Sequence, residues 1–246
     1  MRLSQAYGFA RSWLIYRGPT WKRRRMRELY RRYVNSGDLC FDIGSHIGNR
    51  VTVFRELGAR VVAVEPQPLF ARYLRSRVAD DAVEVVEAAV GRHSGRMVLH
   101  TDPRNPTVST LCQEFKERVR SEPSWSRVRW SQEDEVELVT LADLIDRYGA
   151  PQFCKIDVEG AELDALHTLS VPIRSLSFEV MAATQDQGLA IIDRLESLGP
   201  YLFNFSHSES MTLRFASDVS GDEIRELVRD LSSQSSPSGD IYACLS

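Results

Sequence analysis

The stretch from Asp38 to Gly58 constrains the fold most, because an apolar run, Leu39 to Ile43, closes on Gly44 and passes at once into Ile47, Val51 and Phe54 at helical spacing. Strand, tight turn and helix in that order make the first half of a βαβ unit. The unit repeats. Arg60 to Val64 is continuous and β-branched, Glu65-Pro66 ends it, Leu69 to Val78 has helical period, and a third strand is expected over Val83 to Val90. Continuous apolar strands are buried on both faces, and helices between them require parallel neighbours. A doubly wound, Rossmann-like α/β fold is therefore expected, with helices on both faces of a mostly parallel sheet.

The second half keeps the rhythm. Thr140 is placed to cap a helix from Leu141 to Tyr148, and strands are expected at Phe153 to Val158 and Ser175 to Val180, around a helix from Ala161 to Leu169. A helix from Asp186 to Leu198, a strand from Tyr201 to Phe205, a helix from Asp222 to Leu231 and a strand from Ile241 to Leu245 follow. That makes seven principal strands, the last two lacking the earlier βαβ pattern and suiting a C-terminal antiparallel hairpin. Between the halves, residues 102–136 carry Pro103, Pro106, Pro123, Trp125 and Trp130 among many charges, which predicts an insertion or a long substrate-facing loop.

Residues 1–34 read as a helical appendage to a domain spanning 35–246. Leu3, Tyr7, Ala10, Trp13 and Leu14 have helical spacing, Gly18-Pro19 punctuates, and a second helix is expected from Trp21 to Val34. This arm holds ten Lys or Arg against the single acid Glu28, although the whole chain has a net charge of only -3. Such an arm can contact nucleic acid, anionic lipid or an acidic partner; a solvated helix face packed on the domain is the plainer reading and is preferred.

Composition, 43% hydrophobic and 26% charged, is that of an ordinary globular chain. No apolar run is long enough for a membrane span and no secretory leader is evident, so a cytoplasmic protein is expected. Cys40, Cys112, Cys154 and Cys244 show no Cys-x-x-Cys spacing and read as reduced residues, three of them in strand-like sequence.

Asp42-Ile-Gly-Ser-His-Ile-Gly48 carries the chemistry. Gly44 lets the backbone approach a ligand, Gly48 lets the helix pack near the strand, and Glu65, about 20 positions on, can accept hydrogen bonds from ribose hydroxyls. A dinucleotide fingerprint would need a central glycine for its pyrophosphate, but His46 occupies that region. Asp42 would also repel pyrophosphate, whereas an acid there favours a sulfonium ligand bearing an ammonium group. After the third strand, Glu87 and Ala88 offer an acid and a small residue for an adenine edge.

Together, Phe41-Asp-Ile-Gly-Ser-His-Ile-Gly48, Val64-Glu-Pro-Gln-Pro68 and Lys155-Ile-Asp-Val-Glu-Gly-Ala-Glu162 resemble the FkbM-type methyltransferase family. Ala88 to Gly91, Val139 to Ile145 and Ser177 to Val180 agree in the same order. The resemblance implies a class I methyltransferase sheet, S-adenosylmethionine as cofactor, and O-methyl transfer to a hydroxyl of a sugar, glycan or other small-molecule natural product. His46 departs from the asparagine often found in that turn. It reads either as a contact or base or, preferred slightly, as a solvent-facing turn residue.

Asp42, Gly44, His46, Gly48, Glu65, Pro66, Glu87, Ala88 and Asp157 are thus the expected cofactor-binding residues. Asp157 and Glu159 end the fourth strand on the crevice side and Glu179 ends the fifth, making them the candidate catalytic residues, with Asp157 first. The alternative for Glu159 and Glu162 is to charge the first turn of the next helix. Asn105, Ser109 and Thr110 could form a lip over the acceptor or simply shape turns. No His or Cys spacing suits a metal, and none is expected. A small-molecule or carbohydrate acceptor is the expected partner, nucleic acid is not, and self-association is left open. The rival readings are a nicotinamide-dependent oxidoreductase and a non-catalytic partner-binding protein.

Overall fold

The structure, a computed structural model, describes residues 3–17, 20–233 and 237–246. The expected break at Gly18-Pro19 lies outside the described residues. Two helices, α1 (Leu3–Arg17) and α2 (Thr20–Tyr30), precede β1 (Leu39–Ile43), α3 (Asn49–Glu56), β2 (Arg60–Val64), α4 (Pro68–Arg77) and β3 (Val83–Val86). Next come β4 (Ala89–Val90), β5 (Gly95–Thr101), α5 (Gln113–Arg118) and β6 (Gln132–Val139). The chain then runs through α6 (Leu141–Tyr148), β7 (Phe153–Ile156), α7 (Glu162–Leu166) and β8 (Ser175–Met181). It finishes with α8 (Gln185–Leu198), β9 (Tyr201–His207), α9 (Gly221–Arg229) and β10 (Ser238–Leu245).

Seven strands form the main sheet in the order β3-β2-β1-β7-β8-β10-β9. The first five run parallel, and β10 lies antiparallel to both β8 and β9. Strand order reverses between β1 and β7, so their carboxyl ends open a crevice where an α/β sheet receives its ligand. One face of the sheet packs on α8 and α9 through Phe178, Ile191, Ile192, Phe205 and Ile224. The other takes α2 and α3: Met26, Leu29 and Tyr30 join Val51 and Phe54 over Phe153, and the Tyr30 ring lies 4.8 Å from Phe54 and 5.4 Å from Phe153.

The expected third strand is two strands. After β3, at the edge of the main sheet, the chain bends at Glu87-Ala88, and β4 leaves to pair with β6 in a second sheet ordered β4-β6-β5. A continuous apolar run carries no mark of such a bend, because each half finds its own apolar partners. The segment expected to be irregular, 102–136, ends in β6, where Glu133, Glu135 and Glu137 alternate with inward Val136 and Leu138. The helices expected at 21–34 and 161–169 are shorter, ending at Tyr30 and Leu166. All four cysteines are free, with Cys40 and Cys154 buried and Cys112 and Cys244 half-buried, and burial pushes the Cys40 and Cys154 thiols well up from their ordinary value.

Candidate active site

A cavity of about 290 Å³ opens over the carboxyl ends of β1, β2, β7 and β8. Its floor is the turn after β1. Gly44 has φ 85°, and a Cβ there would strike the carbonyl oxygen of Asp157, so β1 and β7 end in contact only because position 44 has no side chain. Gly44→Ala is expected to lower stability by roughly 1–3 kcal/mol, read by urea unfolding. Gly48 serves packing: it has φ 72°, a Cβ there would lie 2.6 Å from Leu74 Cδ2 on α4, and it does not line the cavity.

His46 adopts φ 48° and sends its backbone N–H to Glu65 Oε2 at 2.8 Å. Its ring is not solvent-facing. It packs 4.3 Å from Phe70 and 5.7 Å from Tyr16, and its buried Nε2 has no partner. Burial lowers its pKa to about 3, so the imidazole is neutral. Glu65 is 2% exposed, and its other oxygen accepts the Gln67 N–H at 2.8 Å. Burial raises its pKa to about 7, against the pull of those two N–H groups. The carboxylate is thus fixed in orientation at the cavity wall beside Pro66 and Ala88.

Across from it stand the acids. Asp157 lies 3.4 Å from Arg50 and 3.6 Å from Lys155. Burial opposes its charge, but Lys155 and then Arg50 outweigh it and hold the pKa below the ordinary carboxylate value. Glu159 and Glu179 lack such partners: burial, and then the neighbouring carboxylates, push both well above theirs. Oxygens of Asp157, Glu159 and Glu179 lie within 4.8 Å of one another, and Glu159 Oε2 is buried without a partner. Among the described residues this trio is the group whose spacing could hold a metal ion. Glu162, in contrast, turns back to accept the N–H groups of Val158 at 3.0 Å and Gly160 at 3.1 Å, and so ties the strand-to-helix turn together.

Of the expected site residues, Gly44, His46, Glu65, Pro66, Ala88, Asp157, Glu159 and Glu179 meet around one cavity. Asp42, Gly48 and Glu87 are not on its lining. Asp42 is 1% exposed beneath the turn with Oδ2 unpartnered, and burial raises its pKa to about 6. Glu87 pairs with Arg75 at 2.6 Å, half-exposed. Of the residues expected to form a lip or shape turns, Ser109 lines the cavity together with Pro106 and Thr107, whereas Asn105 and Thr110 are off its lining: Asn105 accepts from Arg11 and Thr110 donates to the Glu159 carbonyl at 2.7 Å.

Sequence reasoning missed Tyr16, Arg50 and Asp240. Arg50 could have been found, because it follows Ile47 by three positions and precedes Phe54 by four on a helix, which points a cation at the core face. Asp240 reaches Lys155 Nζ at 2.6 Å from the far end of the chain, and Tyr16 comes from α1. Neither carries a local signal.

Sequence comparison with known families matches residues 42–230 to one described as "Methyltransferase FkbM domain". No curated protein matches the chain. Among solved structures, precorrin-6y C5,15-methyltransferase from Geobacter metallireducens GS-15 aligns at 12% identity over 91% of this chain and 87% of its own, with a TM-score of 0.48. A Streptococcus mutans protein described as a candidate methyltransferase and solved in complex with SAH aligns at 10% identity over 89% and 94%, with a TM-score of 0.44. Family membership rests on the match over residues 42–230, not on these two likenesses.

Proposed function

The chain belongs to the FkbM methyltransferase family and its cofactor is S-adenosylmethionine; from that premise we propose that it methylates a hydroxyl oxygen of a sugar, glycan or other small-molecule natural product. The observation that carries this reading is the pairing of two unlike walls on one cavity. One wall is a glycine turn with an oriented carboxylate, Glu65, and the other is a trio of acids beside two cations.

The cavity suits the cofactor. Gly44 presents bare backbone to the cavity, Glu65 has lone pairs left for ribose hydroxyls, and His46 Nε2 is a buried acceptor or donor in want of a partner. Ile43, Val64, Pro66, Ala88 and Val90 supply apolar walls for a purine. When bound, the cofactor supplies an electrophilic methyl group on a sulfonium. Asp42 and Glu87 are assigned indirect parts, supporting the turn and the α4 edge, and Gly48 a packing part.

Asp157 remains ionised at neutral pH and is assigned to bind and orient the acceptor hydroxyl. Glu159, with its raised pKa and unpartnered Oε2, is better matched to removing the hydroxyl proton. Glu179 lines the acceptor side. No metal is assigned, because Lys155 and Arg50 already place positive charge on Asp157. Exhaustive chelation should leave transfer unchanged; a loss restored by magnesium would give the trio to a cation instead.

Labelled S-adenosylmethionine incubated with a panel of glycosylated and hydroxylated metabolites tests the reading. Label appearing on nitrogen or carbon acceptors alone would reject it. Glu65 adds a pH signature. Ribose hydroxyls donate to its charged form, so cofactor affinity should rise as pH increases through about 7, and Glu65→Gln should flatten that rise. Calorimetric titration across pH reads both.

A further inference from the structure

The N-terminal helices carry a surface that the cavity does not use. On α1, Gly8 and Ser12 are buried, and Phe9 stacks on Phe70 at 5.6 Å, which fixes the inner face. The outer face is apolar where a solvated helix should be polar. Tyr7 is 63% exposed and Leu14 66%, two turns apart on one side of α1, with Trp13 next to Leu14 in sequence at 45%, and on α2 Trp21 is 56% exposed. Cations flank the Trp21 ring. The Arg25 guanidinium lies 5.4 Å from the Trp21 ring centroid and Lys22 Nζ 5.9 Å, and Arg24 points outward.

We propose that the outer face of α1 and the start of α2 form a docking surface for an anionic lipid bilayer. Aromatic rings with polar tips, an aliphatic side chain and clustered Arg and Lys are what the headgroup boundary accepts, the rings at its depth and the cations against lipid phosphate. Single-stranded nucleic acid would use the cations and stack on the rings, but it has no use for the outward Leu14. The charge is complementary in sign: ten Lys or Arg and one acid fall within residues 1–34, while the remainder of the chain is acidic. No described helix is long and apolar enough to cross a membrane, so the contact is peripheral. Because α1 also brings Tyr16 to the cavity, a docked protein holds its active site close to the lipid surface.

The full chain is tested by flotation with vesicles of phosphatidylcholine alone and of phosphatidylcholine with phosphatidylglycerol, with tryptophan emission recorded in parallel. Binding to the anionic vesicles alone, weakening with salt and accompanied by a blue shift, is expected. Two variants, Tyr7→Ser/Trp13→Ser/Leu14→Ser and Arg24→Glu/Arg25→Glu, should each weaken it at least about tenfold while melting like the parent protein. No flotation at low salt, or flotation indifferent to the apolar variant, overturns the proposal. So does tighter binding of an RNA oligonucleotide that only the charge variant abolishes, or a dimer in sedimentation that the apolar variant disperses.

Discussion

Glu159→Gln is expected to slow methyl transfer by about 10²–10⁴-fold, the range ascribed to a positioned base, while leaving S-adenosylmethionine binding nearly unchanged. Glutamine has the shape of the protonated acid, so the φ 52° backbone and the Thr110 hydrogen bond to the carbonyl at 159 are kept. What is lost is a group able to take the hydroxyl proton. The pH profile separates this from a structural effect. The folded-state pKa of Glu159 is raised, by burial first and then by Glu179 and Asp157, so turnover in the parent protein should climb as pH rises and the acid ionises. The variant should lose that limb.

Stability moves the other way. The native protein keeps a proton on Glu159 that the unfolded chain releases near its ordinary value of 4.5, so stability from this group is complete at low pH and declines as pH rises toward the folded pKa. Glu159→Gln should flatten that decline in thermal unfolding. Full turnover in this variant together with a dead Asp157→Asn would move the proton to Asp157.

Lys155→Met should cost about 3–5 kcal/mol of folding stability, measured by urea unfolding. Lys155 is fully buried in the sheet, 2.6 Å from Asp240 and 3.6 Å from Asp157. Burial alone would strip its proton, but Asp240 and then Asp157 keep it charged. Removing the cation strands Asp240, itself 6% exposed, inside the protein. Because that loss is a large share of the stability of an ordinary domain, the double variant Lys155→Met/Asp240→Leu is the necessary companion. Replacing both partners by apolar groups should recover most of the loss, since the pair repays its own desolvation poorly. A single variant as stable as the parent would mean that water reaches Asp240 and shields it.

The first βαβ units were readable because their signals are local. Leu39 to Ile43, Gly44 and the Ile47-Val51-Phe54 spacing occupy one strand, one turn and one helix, and β1, α3, β2 and α4 follow within a few residues of where that pattern puts them. β4, β5 and β6 were not readable as a second sheet, because Val83 to Val90 looks like one apolar run until β6 supplies a partner for its end. His46 illustrates the same limit within the site. Its neighbours in sequence suggest a wet turn, and Phe70 and Tyr16, from two other helices, make it dry.

By itself the sequence determined the alternation of strands and helices, the glycine turn, the acid that faces it and the family to which they belong, since each depends on residues close together along the chain. Tertiary structure alone decided that Asp42 and Glu87 stay off the cavity wall, which of the cavity's acids is held ionised, and that Arg50, Tyr16 and Asp240 attend them. A carboxylate's charge state is set by what lies within a few ångströms in space, and at this crevice those neighbours arrive from both ends of the chain.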